Sequence, residues 1–240
     1  MDEQEELAAY AEMQHRVQEA RTIVERNIDH DLSFGRVMSI LSMFGNRSRQ
    51  EVLVEDRESA LLGWQRRAWN ALLCGERISV FWSLTTLQEY LSRKEVEDLR
   101  KIDFQQLISK SKRAVILQSE PPIPDLNPTG DDLVYQLSEQ SKVSRDVLQA
   151  ARAYRTLEWA MIIAYTDESN IFDPTITYPE EWNGDWEEVP MAIRASYVVA
   201  GRPTGDYLDD PQARREFWLW WLDEAVPASW DLQELNEAWT

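Results

Sequence analysis

Residues that could carry acid–base or metal chemistry are few in this sequence. The chain has two histidines, His15 and His30, and a single cysteine, Cys74. Glu12 and His15 have the Glu-x-x-His spacing of di-iron helical bundles, which need that motif twice and two more glutamates on facing helices. The sequence has no second copy of the motif, which argues against a metal site. His15 also lies off the apolar stripe that runs from Tyr10 to Ile28, so we expect it to face solvent.

The other reactive residue types do not form a recognisable catalytic motif. His30-Asp31 resembles the pairs of metal-dependent phosphohydrolases, but that chemistry needs several further His and Asp ligands. Cys74 has no nearby histidine to activate it as a nucleophile, so we expect a small buried thiol. The eight glycines are scattered singly, without a phosphate-binding loop. The sequence thus predicts a protein that is not an enzyme and has no metal or cofactor, although carboxylates assembled across distant helices, as in a hydrolase, are an open alternative.

The strongest compositional feature is an acidic, tryptophan-rich segment at residues 167–240. It has 17 Asp and Glu residues against four Arg, and it holds seven of the eleven tryptophans. Carboxylates attract basic partners, and tryptophan is enriched among residues that anchor protein–protein contacts. The segment therefore predicts a binding function.

The net charge of −18 limits the classes of partner. Nucleic acids and anionic membranes are bound through Lys and Arg, so neither is expected as a partner, whereas a basic protein is. The N-terminal Met-Asp-Glu-Gln-Glu-Glu lacks the pattern of a signal peptide, and no apolar run approaches the ~20 residues of a membrane span. These features predict a cytoplasmic protein.

The elements that must position these residues read as helices. All ten prolines lie at or after Pro121, and the first 120 residues contain four glycines, which favours helices joined by short turns. We predict an all-α, bundle-like single domain of residues 1–240. A proline-rich connector at residues 119–130 leaves open two subdomains, 1–118 and 131–240.

Apolar spacing predicts the individual helices. The first has one stripe made of Tyr10, Met13, Val17, Ala20, Val24 and Ile28. Further helices are expected at 58–73 (with Gly75 as the stop), 86–101 (one or two short helices), 131–140, 145–165, 191–200, 212–225 (opened by the cap Asp210-Pro211 and closed by Pro227) and 230–239. Residues 112–119 could be a helix end or a short strand, and residues 170–190 are expected to form a loop.

A helical wheel divides the predicted helix 212–225 into two faces. Its apolar arc contains Phe217, Trp218, Trp221, Leu222 and Ala225, which we assign to the core. Trp220 falls on the opposite, acidic face. Its neighbours there are Glu216, Asp223 and Glu224.

The C-terminal residues also carry a resemblance to a known family. The stretch from Ala213 to Trp230, with its Phe-Trp-x-Trp-Trp-Leu-x-x-Ala-Val-Pro block, resembles the closing motif of the bacterial immunity-protein family numbered five among polymorphic-toxin immunity proteins. Asp185-Trp186 and the stretch 192–201 are similar to what precedes that motif. The resemblance implies a mostly helical, cytoplasmic, non-enzymatic protein that binds and neutralises a toxin delivered between competing bacteria.

Together these observations favour an immunity protein that binds a basic toxin domain, for which a nuclease is one candidate. The expected contact residues lie in the acidic, tryptophan-rich segment: Trp182, Trp186, Glu187, Glu188, Glu216, Trp220, Asp223 and Glu224. The alternative is a helical scaffold or adaptor that binds a non-toxin partner.

Overall fold

The computed structural model describes residues 3–45, 57–119, 121, 129–138, 143–166, 190–203, 206 and 208–232. The described residues form helices and no strands, which confirms the all-α prediction. The helices are α1 (Glu3–Arg26), α2 (Phe34–Leu41), α3 (Arg57–Ile78), α4 (Leu84–Leu87), α5 (Arg93–Leu99), α6 (Phe104–Ile116), α7 (Gly130–Ser138), α8 (Arg145–Thr166), α9 (Met191–Ala200), α10 (Pro211–Trp220) and α11 (Val226–Trp230). Short 3-10 segments follow α2, α3 and α4, and a π-helical turn, Trp221–Ala225, joins α10 to α11.

Helix α3 lies at the centre of the packing. It contacts α6, α8, α9 and α11, and its residues Trp64, Ala68 and Leu72 are fully buried. The indole Nε1 of Trp64 donates to the backbone oxygen of Ala164 at 3.2 Å, which fixes the ring against the end of α8. Buried residues before and after the predicted connector belong to one hydrophobic cluster. The connector itself lies almost entirely outside the described residues, so the division into subdomains stays a prediction.

Several local predictions are confirmed by the structure. In α1, Met13, Val17, Ala20 and Val24 are buried as the stripe requires. Residues 112–116 are the end of α6 rather than a strand. Helix α8 begins after Ser144, whose hydroxyl accepts from the backbone N–H of Val147. Cys74 is a buried free thiol.

Three predicted boundaries are wrong. Ile28 does not extend the α1 stripe, because α1 ends at Arg26 and the Ile28 side chain is 88% exposed. Gly75 does not end α3, which continues to Ile78. A Cβ at Gly75 would lie 3.0 Å from the Cβ of Ala160, so glycine there permits close approach of α8.

The third boundary is at Pro227, which lies inside the helical run rather than after it. The π-helical turn Trp221–Ala225 comes directly before α11, with Pro227 in the first turn of that helix. Proline normally interrupts an α-helix, because it lacks an N–H and its ring crowds the carbonyl one turn earlier. A π turn shifts the hydrogen-bonding pattern of the backbone before the proline, so the helical run can accommodate it. The chain therefore continues through Pro227 to Trp230.

Candidate functional site

The helix α10 carries the tryptophans that the sequence singles out. Its start is set by Asp210, whose carboxylate accepts from the backbone N–H of Ala213 at 3.0 Å, and by Pro211 in the first turn. This cap is the one that the Asp-Pro dipeptide predicts.

The predicted apolar arc is buried, which confirms that part of the helical wheel. Phe217, Trp218, Trp221, Leu222 and Ala225 are each no more than 1% exposed. Both buried indoles have hydrogen-bond acceptors: Trp218 Nε1 donates to Asp31 at 2.9 Å, and Trp221 Nε1 donates to Asn70 at 3.1 Å. These tryptophans fasten the helix to the core.

Trp220 is half-buried and lies at the surface between α10 and α3. The Arg77 guanidinium lies over its ring at 5.2 Å from the centroid, and the Phe217 ring centroid is 5.5 Å away. The Arg77 guanidinium therefore occupies one face of the Trp220 indole. Trp220 is thus neither a core residue like Trp218 nor a fully exposed one.

Trp220 lines an open groove of about 760 Å³, which we name the Trp220 groove. One wall comes from the end of α3 and the 3-10 turn that follows it, the other from α10, with the start of α8 and the end of α9 completing it. The lining residues are Leu73, Glu76, Arg77, Val80, Phe81, Arg145, Gln149, Val199, Asp210, Ala213, Glu216 and Trp220.

The groove combines exposed apolar surface with charge. Val80 supplies exposed apolar surface, since its side chain is 77% exposed. Glu76 accepts from Lys112 Nζ at 2.5 Å, and Glu216 accepts from Gln212 Nε2 at 2.8 Å. Apolar and charged residues occur together at protein-binding surfaces.

The residues of the predicted acidic face have different surroundings in the structure. Glu216 lines the groove with Trp220, whereas Asp223 accepts from Arg21 Nη1 of α1 at 2.9 Å. Glu224 is exposed on the same π-helical turn. A π turn holds more residues per turn than an α-helix, so Asp223 and Glu224 leave the angular positions that a regular wheel assigns. Trp182, Trp186, Glu187 and Glu188 lie outside the described residues.

Of the four arginines in the acidic segment, two are inside the protein. Arg194 is 2% exposed, and its guanidinium lies over the Trp159 ring at 4.4 Å. Arg214 is fully buried, where it donates to the backbone oxygens of Asp29 and Gly201 and to Asp209. These two positive charges are therefore withdrawn from the surface that the segment presents.

The residues considered for chemistry occupy ordinary structural positions. His15 is mostly exposed and lies 3.5 Å from Glu19, as the helix pattern predicts. A ring nitrogen of His30 is 2.6 Å from the backbone oxygen of Val24. Across the described residues, no group of three or more His, Cys, Asp or Glu side chains is arranged to hold a metal ion. Within the same residues, no helix is both long and apolar enough to cross a membrane.

Of the twelve residues that line the groove, the sequence predicted only Glu216 and Trp220 as contact residues. Arg77, Val80 and Arg145 come from helices far from α10 along the chain, and no local pattern connects them with Trp220. The only hint was Val80 itself, an apolar residue just past the predicted end of a helix.

An all-helical protein with an open, tryptophan-edged groove is suited to binding another protein. Comparison with known protein families identifies the class of this protein. The chain belongs to the immunity-protein family Imm5, whose model it matches over residues 17–228. The match covers most of the chain, well beyond the C-terminal stretch that carried the resemblance. No curated protein sequence matches this chain.

Membership of this family supports an immunity role, in which the protein binds a cognate toxin. It also suggests an inhibitor that is not an enzyme.

Proposed function

We propose that this chain neutralises a basic toxin domain and that the Trp220 groove is the centre of the surface that binds it. The observation that carries the proposal is that half-buried Trp220 and exposed Val80 line the same open groove. Binding energy at protein interfaces is concentrated in a few aromatic or apolar anchors that become fully covered by the partner. These two side chains are suited to that role.

The net charge of the whole chain supports a basic toxin, although two arginines line the groove together with its carboxylates. The whole chain has a net charge of −18, and Glu216 and Glu224 are exposed on α10 and the following turn. Burial of Arg194 and Arg214 leaves these carboxylates with fewer competing cations at the surface. A nuclease domain is a natural candidate, because enzymes that bind phosphate backbones present Lys and Arg.

The remaining contacts are proposed from the sequence. Trp182 and Trp186 would add aromatic anchors, and Glu187 and Glu188 would add charges at the rim of the interface. Asp223 belongs to the same proposal, although its ion pair with Arg21 means that binding would have to compete with α1 or include it.

The proposal is tested first in cells. The toxin encoded beside this gene is expressed with and without this protein, and growth is measured. We expect the protein to restore growth in proportion to its expression. Death of the cells regardless of expression would rule out the immunity role for that toxin.

A second experiment locates the surface with matched variants. Trp220→Ala and Val80→Lys change the groove, and Leu117→Lys changes an aliphatic residue that is 56% exposed at the end of α6, outside the groove lining. We expect Trp220→Ala to weaken toxin binding by about 30-fold, which corresponds to about 2 kcal/mol, and Val80→Lys by about tenfold or more. Leu117→Lys should change affinity by less than about twofold.

Helical circular dichroism of each variant confirms that it is folded. The groove is the wrong surface if folded Val80→Lys binds as tightly as Leu117→Lys. The electrostatic part is tested separately, because the association rate with a basic toxin should fall as NaCl is raised while dissociation changes little.

A further inference from the structure

Arg77 is a positively charged residue on a surface that we propose to bind a basic toxin. It lies in the last turn of α3, it is exposed, and its guanidinium lies over the Trp220 ring at 5.2 Å from the centroid. A positive charge at this place opposes association with a basic protein. Any favourable contribution of Arg77 to toxin binding must therefore come from something other than the attraction of charges.

The carboxylates that line the groove do not hold the Arg77 guanidinium. Each of them accepts a hydrogen bond from another residue: Glu76 from Lys112, Glu216 from Gln212, and Asp210 from the backbone N–H of Ala213. Within the part of the chain that the structure describes, the Trp220 ring is the group with which the Arg77 guanidinium interacts.

Trp220 has a second ring neighbour on its own helix. The Phe217 ring centroid is 5.5 Å from that of Trp220, with the two ring planes at 52°, and Phe217 is only 1% exposed. The orientation of a tryptophan side chain depends on two torsion angles. A neighbour fixed in the core and a cation over the ring together restrict both angles, since each contact depends on where the ring plane lies.

We propose that Arg77 is a positioning residue, which holds the Trp220 indole in one orientation in the free protein so that the toxin meets an anchor that is already ordered. Ordering a side chain at an interface opposes binding, and an anchor that is ordered beforehand avoids that cost. The effect on toxin affinity rests on the proposed function of the groove. The ordering of the indole does not, so the two can fail separately.

The ordering of the indole is measured in the free protein. The Nε1–H resonance of Trp220 is identified by its absence from the ¹H–¹⁵N spectrum of Trp220→Ala, and its order parameter is obtained from ¹⁵N relaxation. We expect this order parameter to fall in Arg77→Gln toward the values of flexible groups. In Arg145→Gln it should stay the same, because Arg145 lines the same groove but lies over no aromatic ring among the described residues.

The effect on toxin binding is measured with the toxin encoded beside this gene. We expect Arg77→Gln to weaken binding by about two- to fivefold, which corresponds to about 0.5–1 kcal/mol, the size of an exposed cation–π contact. Arg145→Gln removes the other positive charge of the groove and should speed association with a basic toxin. Charge alone thus predicts the opposite sign for Arg77→Gln.

A double-mutant cycle separates positioning of the indole from a direct contact between Arg77 and the toxin. In the Trp220→Ala background, Arg77→Gln should cause no further loss of affinity. Arg93→Gln removes an arginine that is 93% exposed on α5, outside the groove, and should change affinity by less than about twofold.

The proposal is overturned if the order parameter of Trp220 in Arg77→Gln equals that of the unchanged protein, or if Arg77→Gln weakens binding equally with and without Trp220. Unchanged toxin binding by Trp220→Ala is a different outcome. It would contradict the groove as the toxin-binding surface and the effect of Arg77 on affinity, while the order parameter would still decide whether Arg77 holds the indole.

Discussion

At the scale of single residues, Trp218 and Asp31 form a pair that fastens α10 to the segment between α1 and α2. The indole N–H of Trp218 donates to Asp31 Oδ1 at 2.9 Å, and Trp218 is fully buried. Burial raises the pKa of the Asp31 carboxyl above its ordinary 3.8, while the hydrogen bond from Trp218 and the charge of Arg214 oppose that rise. Asp31, which in the sequence resembles one half of a His-Asp catalytic pair with His30, thus has a structural role.

The raised pKa of Asp31 predicts a pH-dependent contribution to stability. Above pH 3.8 the unfolded carboxyl loses its proton while the folded one keeps it, so the folded state loses stability as pH rises through the raised pKa. In Asp31→Asn this loss is absent, and the amide oxygen can still accept from Trp218. We expect the free energy of unfolding of the natural protein to fall relative to that of the variant across this window, as measured by urea unfolding at several pH values.

The exposed carboxyl of Asp29 provides the control for this experiment. Asp29→Asn removes the smaller of the two effects that raise the pKa of Asp31, and it leaves burial and the hydrogen bond with Trp218 in place. A stability difference between Asp31→Asn and the natural protein that stays constant with pH would contradict the prediction.

At the scale of elements, the contact between α3 and α8 depends on a small residue at the crossing. A Cβ at Gly75 would lie 3.0 Å from Ala160 Cβ and 3.9 Å from Leu157 Cδ2. Helix pairs can approach closely only where side chains are small or interdigitate. Glycine here serves packing, although in the sequence it resembles a helix stop.

Enlarging this position should separate the two helices. We expect Gly75→Leu to destabilise the protein by about 1–3 kcal/mol, as overpacking of a core does, with a lower urea midpoint. Adding Ala160→Gly to that variant should recover part of the loss, because it removes the nearest opposing atom. Ser109→Leu, which places leucine at an exposed position of α6, is the control. Absence of coupling between positions 75 and 160 would show that the crossing tolerates a shift.

At the scale of the whole molecule, the helices before and after the proline-rich connector share buried surface. Helix α3 packs against α8, α9 and α11, and Trp64 donates to Ala164 across that boundary. Arg66 continues this contact toward the C-terminus, since its guanidinium lies 3.9 Å from the centroid of the Trp230 ring. Separating the two parts would expose the apolar side of α3 to water.

We therefore predict that residues 1–118 and 131–240 fold as one cooperative unit. Each fragment expressed alone should lack a cooperative thermal transition, because burying apolar surface is the main favourable contribution to folding. Fragments expressed together should associate and recover helical circular dichroism. A cooperative transition in either isolated fragment would instead support two subdomains.

The local sequence was sufficient for most of the helices and for the buried side of α10. Apolar spacing predicts the burial of Met13, Val17 and Phe217, and Asp210-Pro211 predicts where α10 begins, because these properties depend on residues within a few positions of each other. The closing motif predicted the immunity-protein family. Half of the candidate contact residues could be located in the structure, and their role in binding stays a prediction.

Only the tertiary structure decided which residues pack against each face of these helices. Trp220 lies on the predicted side of α10, but the Arg77 guanidinium over its ring and the groove it shares with Val80 depend on residues of α3 and of the turn after it. Gly75 and Pro227 have the local signals of helix ends, yet contacts with α8 and a π-helical turn override those signals. Periodicity records which side of a helix is buried; the partners on that side are set by packing between residues distant in the chain, which no local pattern encodes.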